Sequence, residues 1–215
     1  MPTVLSTKKL KENQRSLLLN GGVSLVEYDA IKIDFVPFKV PGKIENAIFT
    51  SQNAVLAIKN SEIRILNCFC VGEKTKQLLE ENGFLVIKKT EYASELADYL
   101  VKTHKAETFH FFCGNIRSNE IPSKLKASNI TFEEIEVYKT TLTPKKFDRT
   151  FDAILFYSPS GVRSFISENK IVATQAICIG TTTASEARKY TENVLIANAT
   201  TVESVIAKAV KIVNN

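Results

Sequence analysis

Four short stretches carry residue types from which an anion site can be built: Thr50-Ser51-Gln52-Asn53, Val71-Gly72-Glu73-Lys74-Thr75, Ser158-Pro159-Ser160-Gly161 and Gly180-Thr181-Thr182-Thr183. Each follows a short apolar run and precedes a helix-like pattern, so each reads as a turn from a strand into a helix. Glycine lets backbone approach a ligand closely. A Ser or Thr hydroxyl caps the helix that follows, and unpaired N–H groups at a helix start favour negative charge. The chemistry on offer is a grip on carboxylate or phosphate oxygens. Ser51, Asn53, Gly72, Ser158, Ser160, Gly161, Gly180, Thr181 and Thr182 are the candidate binders, partly through backbone N–H, with Lys74 and Arg117 as added charge. The plain alternative for each is an ordinary helix cap or a solvated surface group.

Other chemistries lack their signatures. There is no G-x-G-x-x-G, Walker A, G-x-S-x-G, H-E-x-x-H or paired C-x-x-C pattern. Ser158 has no evident histidine base, which argues against a serine nucleophile. His104 and His110 belong to no motif. The four cysteines, at 68, 70, 113 and 178, lie in apolar strand-like segments and read as reduced, buried thiols. Cys68-x-Cys70 lacks the second pair that a zinc site needs. Cofactor-free chemistry that relies on positioning stays open.

A net charge of +5, dispersed along the chain, is too mild for nucleic-acid binding and suits an anionic small molecule. No apolar run approaches the roughly 18 residues of a membrane span. None of signal-peptide length follows Lys8, Lys9 and Lys11. A cytoplasmic location is the expectation, and because no apolar surface stripe demands a partner, so is a monomer.

The elements that must position these turns come from an internal repeat. Residues 48–55 match 155–162 at an offset of 107, and 68–75 match 176–183 at 108. Residues 90–91 fall opposite 200–201 at 110, while 3–6 fall opposite 110–113 and Val23 opposite Ile130 at 107. Several matches in order imply tandem duplication. Apolar runs at 47–49, 65–71, 109–112, 154–157 and 176–179 read as buried parallel strands. Amphipathic stretches at 75–82, 93–103, 184–190 and 202–213 read as the helices between them. The alternation predicts parallel sheets covered by helices on both faces, with ligands beyond the carboxyl ends of the strands.

Two segments break the alternation: about 31–44, with Pro37, Pro41 and Gly42, and about 139–150, with Pro144. Read as a matched pair of crossovers, they favour a discontinuous α/β lobe, 1–35 plus 145–215, and an inserted α/β lobe, 42–137, over the simpler cut into two consecutive halves. Residues 36–41 and 138–144 are then the linkers. The inserted lobe should hold five strands, and the other two from the N-terminus plus three from the last segment. The candidate turns are expected to face a cleft between the lobes.

Five stretches, in order and covering nearly the whole chain, resemble the uroporphyrinogen-III synthase family: Phe49-Thr50-Ser51-Gln52-Asn53-Ala54-Val55, Cys70-Val71-Gly72-Glu73-Lys74-Thr75, Val137-Tyr138-Lys139-Thr140, Phe156-Tyr157-Ser158-Pro159-Ser160-Gly161-Val162 and Ile179-Gly180-Thr181-Thr182-Thr183-Ala184. The resemblance implies two flavodoxin-like lobes joined by a two-stranded linker. It also implies a cofactor-free reaction on a substrate with eight carboxylates. Linear hydroxymethylbilane loses water and closes, with ring D inverted through a spiro intermediate. By the same resemblance Tyr138 matches a family tyrosine and becomes the candidate general acid, and Thr183 a threonine that hydrogen-bonds substrate. Their plain alternatives are a packing tyrosine and a helix-capping threonine. Where the family often has Thr-Arg-Pro near the N-terminus, this chain has Ser6-Thr7-Lys8-Lys9, with Lys8 as the substitute charge. The preceding pathway enzyme would be the source of substrate.

Two other readings share parts of the pattern. A non-catalytic two-lobed module binding a polyanionic small molecule would use the same loops. A sugar-phosphate or nucleotide transferase would want a phosphate-loop glycine pattern that is missing here.

Overall fold

The computed structural model describes residues 1–214. Its elements follow one another as β1 (Thr3–Ser6), α1 (Glu12–Asn20), β2 (Ser24–Glu27), β3 (Ile31–Phe35), β4 (Lys43–Phe49), α2 (Gln52–Ile58), β5 (Arg64–Val71), α3 (Glu73–Glu81), β6 (Val86–Thr90) and α4 (Ala93–Thr103). Then come β7 (Phe109–Gly114), α5 (Glu120–Ala127), β8 (Phe132–Leu142), β9 (Ala153–Phe156), α6 (Pro159–Ile166), β10 (Gln175–Cys178), α7 (Thr181–Ala187), β11 (Val194–Ile196) and α8 (Val202–Val213). They fall into two compact units, 1–32 plus 141–215 and 33–140.

The first unit holds a five-stranded sheet in the order β11-β10-β9-β1-β2, parallel throughout. Renumbered along the chain, this is the 2-1-3-4-5 order of flavodoxin-like sheets. The second unit holds a six-stranded sheet, β3-β8-β7-β4-β5-β6, parallel from β8 to β6.

The duplicated segments explain both orders. The matches equate β1 with β7, β2 with β8, β4 with β9, β5 with β10 and β6 with β11. With β3 set aside, every strand and its copy occupy the same place in their sheets. Each sheet takes two strands from one copy and three from the other, so one unit is a circular permutation of the other.

Burial on both faces follows from sequence alternation. In β9, Ala153 and Leu155 join one buried cluster while Ile154 and Phe156 join the other. In β7, Phe109 and Phe111 pack on one side and Phe112 on the opposite side. Helices cover these faces with apolar stripes, such as Leu96, Ala97 and Leu100 of α4 and Val205, Ile206 and Ala209 of α8. Glu95 accepts from the N–H groups of Glu91 (3.1 Å) and Tyr92 (3.3 Å) to start α4, and Thr201 Oγ1 accepts from Ser204 N–H (3.1 Å) to start α8.

Several boundaries differ from expectation. The proline-marked segment from about 31 to 44 is only partly irregular, because Ile31–Phe35 forms β3 at the edge of the second sheet. That sheet therefore has six strands where five were expected. Pro37 and Pro41 fall between β3 and β4, where no ladder needs their missing N–H groups. The segment 138–144, expected as linker, is mostly strand, since β8 runs through to Leu142. Val36 N–H donates to Val137 O (3.1 Å) and Thr143 N–H to Ala30 O (2.9 Å), so β3 and β8 run antiparallel. The chain passes between units within this pair. Helix α7 begins at Thr181, three residues before the expected start, because Gly180 lies in extended backbone (φ −167°, ψ 177°) and serves as the cap. Helix α3 likewise begins at Glu73, after Gly72 turns the chain at φ +86°.

Candidate functional site

The carboxyl ends of the parallel strands carry the candidate residues, and each unit can be built up separately. In the second unit, β4 ends at Phe49 and Ser51 caps α2, its Oγ accepting from Asn53 N–H at 3.1 Å. Tyr138 lies within β8, opposite Gly114 at the end of β7, and is 7% exposed. Burial pushes its phenol pKa above the ordinary value, and a side-chain hydrogen bond with Ser51 pulls partly against that shift. Tyr138 is therefore a neutral proton donor at physiological pH, with a hydroxyl partner at hand. Ser51 faces Tyr138 as well as its own helix, a role the sequence did not suggest.

The remaining donors of this unit are less free than their types implied. Gly72 N–H is already donated to Thr90 O at 2.8 Å. The residues beside it are charged in both senses: Lys89 Nζ pairs with Glu73 at 3.0 Å and with Glu91. Lys74 is an exposed side chain. Arg117 is ion-paired with Glu134 and donates to Asn119 Oδ1 at 3.4 Å, so its charge is committed inside the protein.

In the first unit, Ser158 caps α6 and accepts from Gly161 N–H at 3.0 Å, with Pro159 opening the helix. Ser160 is buried and accepts from Arg163 Nη2 at 3.2 Å, and its burial limits its reach to a ligand. Gly161 sits against Thr7, whose Oγ1 would lie 3.5 Å from a Cβ at that position. Thr181 and Thr182 are exposed in the first turn of α7, while Thr183 behind them is only 3% exposed. The loop after β1 is tied down through its backbone. Lys9 N–H donates to Asp29 Oδ1 (2.9 Å), Leu10 N–H to Glu27 Oε2 (3.0 Å) and Lys11 N–H to Gln14 Oε1 (3.1 Å). Lys8, Lys9 and Lys11 are left exposed on that anchored loop.

All four cysteines are free and buried. Burial lifts the thiols of Cys68 and Cys178 to about 12 and those of Cys70 and Cys113 to about 11, far from the thiolate state that reactivity needs. His104 is a packing residue, its Nδ1 2.7 Å from Glu107 and its ring edge-on to Phe69. Among the described residues no helix is long and apolar enough to cross a membrane. A cavity of about 230 Å³ lies at the amino-terminal edge of the first sheet, around Phe147, Phe151 and Phe165, away from the strand-to-helix turns.

Sequence reasoning missed Gly114 and Asn115, the residues that hold Tyr138. A Cβ on Gly114 would fall 2.5 Å from Tyr138 Cζ. Asn115 bonds the backbone of Thr140 in both directions, accepting at 2.8 Å and donating at 3.3 Å. One signal was available. Gly114 follows directly on the stretch 110–113 that matches 3–6, and its counterpart in the other copy is Thr7. A glycine at a strand end often marks a close approach.

The family model described as uroporphyrinogen-III synthase HemD matches residues 20–207. The porphyrin biosynthesis protein HemD of Ruminiclostridium josui is 26% identical over 96% of the chain, yet the chain spans only 46% of that relative's length. Among solved structures, uroporphyrinogen-III synthetase from Helicobacter pylori matches with a TM-score of 0.70 and 16% identity, covering 99% of this chain and 100% of that one. A mutant uroporphyrinogen III synthase from Thermus thermophilus matches with a TM-score of 0.74 and 13% identity, covering 100% and 99%. At such identities these two likenesses speak for the fold.

Proposed function

Because the chain belongs to the uroporphyrinogen-III synthase family, we propose that it closes linear hydroxymethylbilane to uroporphyrinogen III, with loss of water and inversion of ring D through a spiro intermediate. The observation that carries this reading is the family match over residues 20–207; the buried Tyr138, whose phenol is raised by burial, supports it.

A hydroxymethylpyrrole ionises readily, because the ring nitrogen stabilises the cation left behind. The enzyme's task is therefore mainly geometric. Binding must bring the substituted carbon of ring D to the reactive methylene and shut out the simpler closure. Orientation of this kind is worth several kcal/mol.

Tyr138 is the general acid in this reading. Its O–H proton passes to the departing hydroxyl oxygen as the C–O bond breaks, water leaves, and the phenolate receives a hydrogen bond from the Ser51 hydroxyl. The phenolate regains a proton when the last pyrrole carbon loses its own after ring closure. Such an acid is worth about 10²–10⁴-fold.

Side chains and N–H groups at the strand-to-helix turns hold the carboxylates. In the first unit these are the exposed Thr181 and Thr182, with Gly180 before them, Ser158 and the lysines on the anchored loop after β1; in the second unit it is Asn53. Gly72, Ser160 and Gly161 contribute as shape, since the N–H groups of Gly72 and Gly161 are already donated and Ser160 is buried. Thr183 acts from beneath the exposed pair.

The test is a product-isomer assay with enzymatically generated hydroxymethylbilane. The type III isomer is expected, and recovery of type I alone would refute the proposal.

A further inference from the structure

A general acid works only if its proton points at the leaving atom, so what aims Tyr138 matters as much as its acidity. Strands β7 and β8 pair in step from Phe109 with Phe132 to Cys113 with Glu136. The next partners are Gly114 and Tyr138, so Val137 is passed over. An extra residue on one strand is a bulge, and bulges re-aim side chains. Here the slip lays the Tyr138 ring over the Cα of Gly114. A Cβ at that position would come within 3.0 Å of Cδ2, 2.5 Å of Cζ and closer still to Cε2, against roughly 3.5–4.0 Å for a comfortable carbon contact. Any side chain at 114 would displace the ring.

The next residue holds the other side. Asn115 N–H donates to Tyr138 O at 3.3 Å. Its side-chain Oδ1 accepts from Thr140 N–H at 2.8 Å, and its Nδ2 donates to Thr140 O at 3.3 Å. β8 is thereby gripped at Tyr138 and again two residues further on, beyond the last residue of β7.

We propose that Gly114 and Asn115 form a positioning device for Tyr138: the bare glycine is the seat of the ring, and the asparagine locks the backbone that carries it. Neither residue touches substrate. The proposal rests on Tyr138 being the proton donor of the cyclisation.

The experiment measures kcat and KM separately, with enzymatically generated hydroxymethylbilane. The variants are Gly114→Ala, Asn115→Ala, Tyr138→Phe and each of the first two combined with Tyr138→Phe. Gly114→Ala should lower kcat at least tenfold and Asn115→Ala about threefold, with KM within twofold of wild type. Either change added to Tyr138→Phe should cost less than a further twofold, because the group being aimed is already gone. Full multiplicative losses in the double variants, or a normal kcat in Gly114→Ala beside a slow Tyr138→Phe, would overturn the positioning role alone. A wild-type rate in Tyr138→Phe would instead overturn the acid role on which it rests. A readout independent of turnover is NMR titration of ¹³Cζ-labelled tyrosine, with the Tyr138 resonance assigned by its loss in Tyr138→Phe. In Gly114→Ala the phenol should titrate closer to its ordinary value as the ring leaves its seat, and an unchanged titration would count against the proposal. If Gly114→Ala does not fold, Asn115→Ala, which adds no bulk, decides by the same cycle.

Discussion

The two sheets place duplicated strands in identical order, yet a tyrosine ring covers Gly114 in the second, while a threonine with an engaged hydroxyl holds the matched position in the first. The difference lies in a few side chains at matched positions. Where the second unit has Gly114, the first has Thr7, whose hydroxyl donates to Leu155 O at 2.6 Å. Where the second has Ala54, the first has Gly161, which makes room beside Thr7. Small and large have changed places, and the space above the strand end is filled in one unit and open to an aromatic ring in the other. Strand length adds to this. β2 is four residues long and stops at Glu27, whereas β8 continues for 11 residues and carries Tyr138 past the bulge. The first unit also has a tyrosine after β2, Tyr28, but it leans edge-on against Phe147 and its buried hydroxyl has no partner. A duplicated frame thus fixes where loops emerge, while packing at single positions decides which side chain stands at each strand end.

The largest test of this comparison is of the shared frame itself. Phe49 and Phe156 are matched residues at the ends of β4 and β9, both fully buried. Phe49 stacks on Phe112 at 5.2 Å and Phe156 meets Phe165 edge-on at 5.9 Å. Phe→Ala at either position should cost about 3–5 kcal/mol in denaturant unfolding. A loss below ~1 kcal/mol at one of them would mean that the two cores are not equivalent.

Next come the tyrosines. Tyr138→Phe should reduce turnover at least several-fold while product binding, followed by calorimetry, stays nearly intact. Unchanged single-turnover cyclisation would remove the acid role. Tyr28→Phe should leave turnover alone and be neutral or stabilising, because it deletes a buried hydroxyl that no group satisfies. It should also change the alkaline stability profile. Burial lifts the Tyr28 phenol from 10.0 to about 12 in the folded protein, so the unfolded chain gives up its proton first. This contribution is complete below pH 10 and is lost as pH rises toward 12. Chemical denaturation across that window should show a shallower fall for Tyr28→Phe than for wild type.

The smallest expected effects concern the two matched caps. Ser51→Ala and Ser158→Ala should each lower stability by ~1 kcal/mol. Only Ser51→Ala should also slow turnover, since only Ser51 bonds the tyrosine hydroxyl. Equal kinetic effects from both would blur the distinction between the units.

Much of this molecule was readable without coordinates. Alternating apolar runs such as Ala153-Ile154-Leu155-Phe156 announced buried strands, because a parallel strand packed on both faces tolerates little else. The half-chain offset announced two related sheets and the position of the candidate turns. Ser51 and Ser158 were legible as residues at helix starts, since capping is local and depends on neighbours two or three positions away. What stayed hidden depends on partners far apart in sequence. The seat for Tyr138 joins residue 114 to residue 138, and the bulge that aligns them exists only once β7 and β8 pair. Arg117 looked like free charge until Glu134 came beside it, and Gly72 looked like a free donor until Thr90 took its N–H. The strand β3 was masked by the prolines that follow it, although its own residues can pair at a sheet edge. Local propensity and periodicity are properties of neighbouring residues and survive in the one-dimensional record. The direction of a phenol, the commitment of a charge and the emptiness above a glycine arise only when distant segments pack together.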